Sequence, residues 1–331
     1  MAVKPRLLAT PEQRIGVKKT NWSPYFFLTI PLLLYAMWVV IPTLYTFFLS
    51  TTSWDGVSEN PTVMREPFSN FSRLFGDQLL TFEAKNEGDP RVLQIFPAAD
   101  RTFRIALTNN VRWLLVFITI PTTAGLALAM LLNTEMRFGR WYKISFYTPL
   151  VLSGPVIGLI WAWVYQPRAG LLNAALTALG VADPPGWLAE RDLAIWAIIF
   201  ASVWRQVGYV MILYLAGLKN VDPSLVEAAV VDGASRWTLF RRVIFPLLAP
   251  VTTIVMVISV IDSLRSFDLV QIMTNGGPAE STQVLANMMY NEAFQNYKMG
   301  YAAAIAVVIF AFSLVFIGIY LRRTLKDELE Y

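Results

Sequence analysis

The sequence contains no cysteine and no histidine among its 331 residues. Without cysteine there can be no disulfide, thiol nucleophile or Cys/His zinc site, and without histidine the commonest general base is missing. No G-x-x-x-x-G-K-[ST] stretch occurs either, so the chain encodes no P-loop nucleotide site. If ATP drives the activity of this protein, another chain must hydrolyse it.

Charged residues are also scarce. They make up 15% of the chain, whereas hydrophobic residues make up 56%. A soluble domain is about 25% charged and about 45–50% apolar, so this composition indicates a membrane protein. The net charge of +4 is too small to suggest a nucleic-acid partner. We therefore expect membrane lipids, and no nucleic acid, around this chain.

Six apolar segments are long enough for a bilayer-spanning helix, which needs about 20 residues. They are 25–49, 105–132, 144–166, 193–217, 248–272 and 301–321. The first follows a basic stretch, but it is longer than the apolar region of about 7–15 residues in a signal peptide, so we predict a retained span. The sequence thus predicts an all-α integral membrane protein with six transmembrane helices.

The distribution of Lys and Arg over the connections predicts the orientation of the spans. Five lie in the N-terminal tail, three in 133–143, four in 218–247 and three after residue 321, against two in 167–192 and one in 273–300. Both termini are therefore predicted to be cytoplasmic. The predicted segments are a cytoplasmic tail 1–24, a span 25–49, an extracytoplasmic loop or small cap 50–104, a core of five spans 105–321 and a cytoplasmic tail 322–331.

The connection between the fourth and fifth spans is predicted to form two short helices. Asp222 followed by Pro223 is typical of a helix start, and Gly233 suits the left-handed position that ends a helix. Ser235 can cap a second helix, which we expect to end before Pro246. Spacing alone leaves open that these helices only hold the two neighbouring spans together.

The stretch EAAVVDGASRWTLFRRVIFPLLAP, from Glu227 to Pro250, resembles the EAA motif of permease subunits from binding-protein-dependent ABC importers. One departure is Phe245, where the motif usually has leucine. FDLVQIMTNGGPAESTQVLANMMYNEAF, which starts at residue 267, and GYAAAIAVVIF, which starts at residue 300, resemble carbohydrate-importer permeases of the maltose type. The resemblance covers most of 105–325 and includes the order of the spans.

This resemblance implies the type I ABC importer permease fold, in which a cytoplasmic coupling helix between spans four and five inserts into a groove of an ATPase subunit. The residues that it assigns to this coupling are Glu227, Ala228, Ala229, Asp232 and Gly233. The implied partners are a second homologous permease, an ABC ATPase dimer that uses ATP and Mg, and an extracytoplasmic sugar-binding protein. The chain itself would be a transport subunit of a bacterial inner membrane, without enzymatic activity or a bound cofactor.

Ionisable residues inside spans usually face a cavity or pair with each other. Asp262 and Arg265 share a face of the fifth span, and the fourth span carries Arg205, Gln206 and Tyr209. Sugars need hydrogen-bonding groups and aromatic faces, so we predict that these five residues line a sugar pathway. The alternative interpretation is that Asp262 and Arg265 pair with each other and only fix helix contacts.

The expected cargo is a mono-, di- or oligosaccharide, and the first alternative is a polyol or a sugar phosphate such as glycerol phosphate. A secondary transporter would need an ion site in the spans, for which Asp262 could serve, and gradient collapse would stop it. A membrane enzyme of lipid or glycan metabolism would use the acids of the 50–104 segment. The sequence shows neither paired carboxylates in an ordered context nor a metal-ligand cluster for such an enzyme.

Overall fold

The structure is a computed structural model. The residues that it describes are 23–76, 80–83, 92–95, 99–134 and 136–329. Most of the predicted N-terminal tail, up to residue 22, lies outside the described residues. The chain divides into two compact units, of which the first ends at Tyr45 and the second begins at Thr46.

Helices account for most of the described residues. In chain order they are α1 (Ser23–Tyr35), α2 (Ile41–Leu49), α3 (Ser69–Phe75), α4 (Arg101–Leu132), α5 (Gly139–Val151), α6 (Gly154–Val164), α7 (Leu171–Ala178), α8 (Arg191–Lys219), α9 (Pro223–Val231), α10 (Arg236–Leu239), α11 (Phe245–Leu247), α12 (Ala249–Leu264), α13 (Asp268–Met273), α14 (Leu285–Tyr290) and α15 (Met299–Leu329). Wide π-helical turns join α1 to α2 and α10 to α11, and a third follows α14.

Four helices of the described chain are long and apolar enough to cross a membrane. They are Tyr25–Leu49, Arg101–Leu132, Arg191–Lys219 and Met299–Ile319. Two bent pairs of helices raise the number to six if each pair crosses as one broken span. The predicted span 144–166 contains the bend of the first pair, whereas 248–272 lies almost wholly in Ala249–Met273, the second member of the other pair.

The third predicted span is broken between α5 and α6, which differ in direction by 105°. Leu152 and Ser153 have extended backbone, with ψ angles of 141° and 152°. Pro155 then occupies the first turn of α6, where its missing N–H costs no hydrogen bond. The apolar sequence allows a straight helix, but the proline favours a new helix start at this point.

The fifth predicted span begins at Leu248, where the chain bends by 67° from the preceding helix, two residues before Pro250. Its α-helix stops again after Leu264 and resumes at α13. The helix that begins at Arg236 continues past Pro246 to Leu247. The prediction that the second short helix ends before Pro246 is therefore wrong. The wide turn that ends at Ile244 places Pro246 in the first turn of α11, where no backbone donor is required.

The main helix contact of the second unit is between α4 and α8. Buried Leu126 and Ala129 of α4 pack with Val210 and Met211 of α8 in one apolar cluster. Gly125 allows this approach, because a β-carbon at its position would lie only 2.6 Å from Val210 Cγ1. Small residues at such crossings let helices in a membrane pack closely, so α4 and α8 form a tight pair.

Two buried asparagines of α4 form hydrogen bonds to segments that are distant in the sequence. The amide nitrogen of Asn110 donates to the carbonyl of Ser263 (2.7 Å), and its oxygen accepts from the backbone N–H of Leu285 (2.8 Å). Asn109 donates to the carbonyls of Ser281 and Gln283, both at 2.8 Å. These bonds satisfy carbonyls that the break after α12 and the loop before α14 leave free of helical partners.

Two short strands lie in the predicted 50–104 segment. Leu80–Glu83 pairs antiparallel with Val92–Ile95, a small local addition to the predicted all-α class. The first strand alternates apolar and polar residues, and both strands contain Thr, Val or Ile, which favour strands.

The residues before this sheet are also folded. Thr52 bridges Val63, and the N–H of Gly300 donates to the carbonyl of Trp54. Leu74 of α3 is fully buried in an apolar cluster that α14 and α15 share. The described part of the 50–104 segment is therefore attached to the start of α15.

Candidate functional site

Short local hydrogen bonds define the two helices between α8 and α12. The carboxylate of Asp222 accepts from the N–H of Ser224 (2.9 Å) and starts α9. Gly233 ends it with a φ of +80°, in the left-handed region that glycine adopts without strain. Ser235 accepts from the N–H of Thr238 (3.2 Å) and starts α10. The predicted caps of both helices are confirmed.

Replacing Asp222 by alanine is expected to loosen the first turn of α9, because the N–H of Ser224 loses its acceptor. We expect backbone amides of this turn to exchange with solvent about fivefold faster, as measured by hydrogen–deuterium exchange. The same replacement at Asp183, an exposed residue of the α7–α8 connection, should leave these amides unchanged. Unchanged exchange in both variants would contradict the cap.

The hydrogen bond from the Ser224 amide lowers the pKa of the Asp222 carboxyl. Since the charged form is the better acceptor, the cap contributes fully at a pH above the ordinary pKa of an unfolded aspartate, about 3.9. It is lost as the pH falls through the lower pKa of the folded chain. Neutral pH should therefore show the full exchange difference between Asp222 and its alanine variant, and strongly acidic pH should remove it.

The five residues predicted to couple the chain to an ATPase lie in α9 and directly after it. Glu227, Ala228, Asp232 and Gly233 are exposed, and Ala229 is half-buried. No residue of α9 is buried. Val230 and Val231 are 57% and 86% exposed, so the helix leaves apolar surface uncovered as well. In the described chain α9 therefore presents an exposed, partly apolar surface, as a helix does that docks into the groove of a partner protein.

The underside of α9 borders a cavity of about 320 Å³. Glu227 and Val226 line it together with Asn133, which follows α4, and Leu218, in the last turn of α8. Ile244 closes it from the segment before α11. Across this cavity α9 thus faces the ends of α4 and α8.

A second cavity, of about 260 Å³, lies among α4, α8 and the break between α12 and α13. Four of the five predicted pathway residues line it: Arg205, Gln206, Asp262 and Arg265. Tyr209 does not line it, although it is only one helical turn beyond Arg205. We refer to this space as the polar cavity.

Polar contact between α8 and α12 is made inside the polar cavity. The amide of buried Gln206 donates to Oδ2 of Asp262 at 3.3 Å. Among the residues that the structure describes, ion pairs within 4.0 Å are limited to Lys298 with Glu292, at 3.3 Å. The charged atoms of Asp262 and Arg265 thus do not lie within 4.0 Å of each other, and the alternative in which they only fix helix contacts stays a prediction. Arg265 ends α12 and stays exposed to the cavity.

Three lining residues that we did not predict come from the break itself: Ser266, Phe267 and Asp268. The break turns their backbone and side chains into the cavity. Gly154 of α6 makes room for Asp268, because a β-carbon at that glycine would overlap the carboxylate. The signal in the sequence was the density of polar residues from 262 to 268, which is too high for a lipid-facing helix.

The aromatic wall of the polar cavity comes from α4. Trp113 and Phe117 are four residues apart on one face, and their ring centroids lie 6.0 Å apart. Helical spacing alone does not distinguish such a pair from ordinary core residues. Both side chains are almost fully buried, 1% and 2% exposed, and belong to the apolar core. The groups that the cavity offers for hydrogen bonds to hydroxyl groups are therefore its carboxylates and guanidinium groups.

Comparison with known proteins gives related sequences over nearly the whole chain. Residues 112–325 match the family described as binding-protein-dependent transport system inner membrane component. A probable ABC transporter permease protein of Pyrococcus horikoshii is 32% identical over 308 residues, which cover 92% of this chain and 97% of that protein. A diacetylchitobiose uptake system permease protein of Streptomyces coelicolor is 32% identical over 303 residues, covering 88% of this chain and 78% of that protein.

A solved structure also matches this fold. It is the crystal structure of a bacterial ABC transporter involved in the import of the acidic polysaccharide alginate, with a TM-score of 0.75 and 18% sequence identity. The match covers 92% of this chain and 96% of the matched chain. The type I ABC importer permease fold and the resemblance found in the two sequence stretches are confirmed. This chain belongs to the family of binding-protein-dependent transport system inner membrane components and is a permease of an ABC importer.

Proposed function

We propose that this permease forms half of a translocation pathway for a carbohydrate that an extracytoplasmic binding protein delivers. The observation that carries the proposal is the polar cavity, because it gathers Asp262, Arg205, Arg265 and Gln206 among helices that are otherwise apolar. Charged side chains inside a membrane cost free energy unless they contact a transported solute or pair with one another. The diacetylchitobiose relative supports a sugar as that solute.

The chemistry of the polar cavity suits a sugar. Carboxylates accept hydrogen bonds from hydroxyl groups, and guanidinium groups donate to them. Its volume of about 260 Å³ lies just below the usual range for a ligand site, which begins at about 300 Å³. A second, homologous permease would supply the opposite wall of the pathway.

We place both termini in the cytoplasm of a bacterial cell and count six spans across its inner membrane, each bent pair being one span. The Lys and Arg distribution supports this orientation, which puts α9 on the cytoplasmic side. There α9 would insert into a groove of an ABC ATPase dimer, with Glu227, Ala228, Ala229, Asp232 and Gly233 at the contact. ATP and Mg²⁺ would be bound by the ATPase partner.

The mechanism that follows is alternating access. When ATP closes the ATPase pair, α9 would move with its groove and, through the segment 240–244 and the cavity that it shares with them, displace the ends of α4 and α8. The same two helices carry Trp113, Arg205 and Gln206 of the polar cavity. A movement of the two helices as a pair would therefore expose the cavity alternately to the two sides of the membrane.

The energy source of uptake tests this proposal. In cells that hold the intact importer, labelled mono-, di- and oligosaccharides are offered after ATP depletion, or after collapse of the proton gradient with ATP held constant. We expect ATP depletion alone to stop uptake of at least one sugar. Uptake that stops with the gradient and continues without ATP would identify a secondary transporter, and uptake of no sugar at all would reject the carbohydrate cargo.

A further inference from the structure

A larger cavity, of about 800 Å³, lies at the N-terminal ends of α4 and α8 and is separate from the polar cavity. The lining residues that matter most are Arg101, Arg104, Arg112, Arg191, Asp192 and Trp196. Four guanidinium groups thus face one carboxylate across a space of ligand size. We call this space the arginine cavity.

The positive charge of the arginine cavity is arranged by helix geometry. Arg101 and Arg112 are eleven residues apart, about three helical turns, and Arg104 is three residues from Arg101, so the three lie on one side of α4. Arg191 is the first residue of α8. The N-termini of two long helices therefore point their own partial positive charge toward the same region.

These guanidinium groups are poorly satisfied within the chain. In the described residues, none of the four has a carboxylate within 4.0 Å, because the ion pair found there is Lys298 with Glu292. The Nε of Arg104 is shielded from solvent and has no hydrogen-bond partner among the described residues. Arg112 donates only to the amide oxygen of Asn109, at 3.2 Å, which leaves most of its donors free. Arg191 donates to the carbonyl of Ala279 at 3.5 Å, and it, Arg101 and Arg112 are exposed. The unpaired buried donor is therefore the Nε of Arg104, and a buried donor without an acceptor is costly.

We propose that the arginine cavity binds a phosphate-type oxyanion, taken either from the headgroup of an anionic phospholipid or from free anion in solution. Guanidinium groups match the geometry of phosphate oxygens and bind them in pairs of hydrogen bonds. Trp196 is 43% exposed, and its ring centroid lies 5.8 Å from the Arg112 guanidinium carbon, so it supplies an apolar wall beside the charge. This site is independent of which solute the permease transports.

The test uses the full transporter, extracted with its partners in a nonionic detergent and washed free of lipid. It is titrated separately with phosphatidylglycerol, with inorganic phosphate and with diacylglycerol, which lacks the phosphate. The cavity variant carries Arg104→Gln and Arg112→Gln. Its control carries Arg140→Gln and Arg168→Gln, two exposed arginines outside the cavity, so that both variants lose the same charge.

We expect the cavity variant to bind its anion about tenfold more weakly than the unmodified chain, and the control to bind within about twofold of it. If phosphatidylglycerol shows this difference and diacylglycerol does not bind, the oxyanion comes from lipid. If inorganic phosphate alone shows it, the site takes a free anion. Should the cavity variant fail to fold, Arg112→Gln alone replaces it, because Arg112 is exposed.

Two outcomes overturn the proposal. In the first, neither anion distinguishes the cavity variant from its control. In the second, neither anion binds, and the cavity variant weakens only the association with an extracytoplasmic binding protein, which would make the arginines a protein-docking surface. Failure of sugar uptake in the earlier test leaves these titrations unaffected, so the two proposals can fail separately.

Discussion

Replacing Gly233 by valine is expected to abolish transport while leaving the chain inserted in the membrane. Gly233 has a φ of +80°, a conformation that a β-branched residue adopts only under strain. A β-carbon there would meet no atom within 4 Å, so the change acts on the backbone and not through a clash. Relief of this strain would change the angle between α9 and α10. We expect uptake per inserted molecule to fall at least about tenfold.

The chain offers a matched control for this experiment. Gly180, which follows α7, has a φ of +91° and also leaves space for a β-carbon. Gly180→Val introduces the same kind of strain in a connection outside the proposed coupling segment. It should keep near-normal uptake, and an equal loss in both variants would mean that strain alone, not coupling, explains the result.

Glu227→Lys complements the glycine variant, because it changes charge without changing the backbone. Glu227 is exposed on α9 and also lines the cavity beneath it. We expect the reversed charge to stop transport while the amount of chain in the membrane stays the same. Normal uptake by both Glu227→Lys and Gly233→Val would reject the assignment of α9 as a coupling helix.

Replacing Asp262 by alanine is expected to raise the KM for sugar uptake by about tenfold, the effect of losing a hydrogen bond to a charged group. The carboxylate lies in the polar cavity, where Gln206 holds it by a 3.3 Å hydrogen bond. Asp262→Asn separates two contributions, since an asparagine oxygen can still accept from Gln206 while the charge is lost. Initial uptake rates against sugar concentration, at matched amounts of membrane-inserted chain, provide the measurement.

A second polar contact between α8 and α12 serves as the control for Asp262. The hydroxyl groups of Tyr214 and Thr252 lie 3.1 Å apart and outside the polar cavity. Thr252→Val removes this contact and should leave the KM unchanged. If Thr252→Val raises the KM as much as Asp262→Ala does, the carboxylate fixes helix packing and does not contact the sugar.

Features that depend on neighbouring residues could be predicted from the sequence. The capping roles of Asp222 and Ser235 and the left-handed Gly233 each involve hydrogen bonds or backbone angles within a few residues. The apolar runs also located the segments that could span a membrane. They could not show that two of the spans are broken, because an apolar run is compatible with either a straight or a bent helix, and prolines occur in both.

Features that depend on distant contacts could not be predicted. The carbonyl partners of Asn109 lie 172 and 174 residues away along the chain, so nothing near that asparagine in the sequence indicates its role. Phe267 and Asp268 joined the polar cavity only because the helix breaks before them. Tyr209 was predicted because the fourth span carries it and its side chain suits a sugar, but it does not line the cavity.

The proposed contact between α9 and an ATPase can be tested directly with a single introduced cysteine. Because the chain has no cysteine, Ala228→Cys on α9 is its only thiol. A short thiol-to-amine crosslinker is applied to native membranes, and adducts of the chain are identified by mass. Ala174→Cys, on exposed α7, is the control. We predict an adduct with a P-loop ATPase from Ala228→Cys alone, whereas no such adduct, or equal adducts from both positions, would contradict the claim.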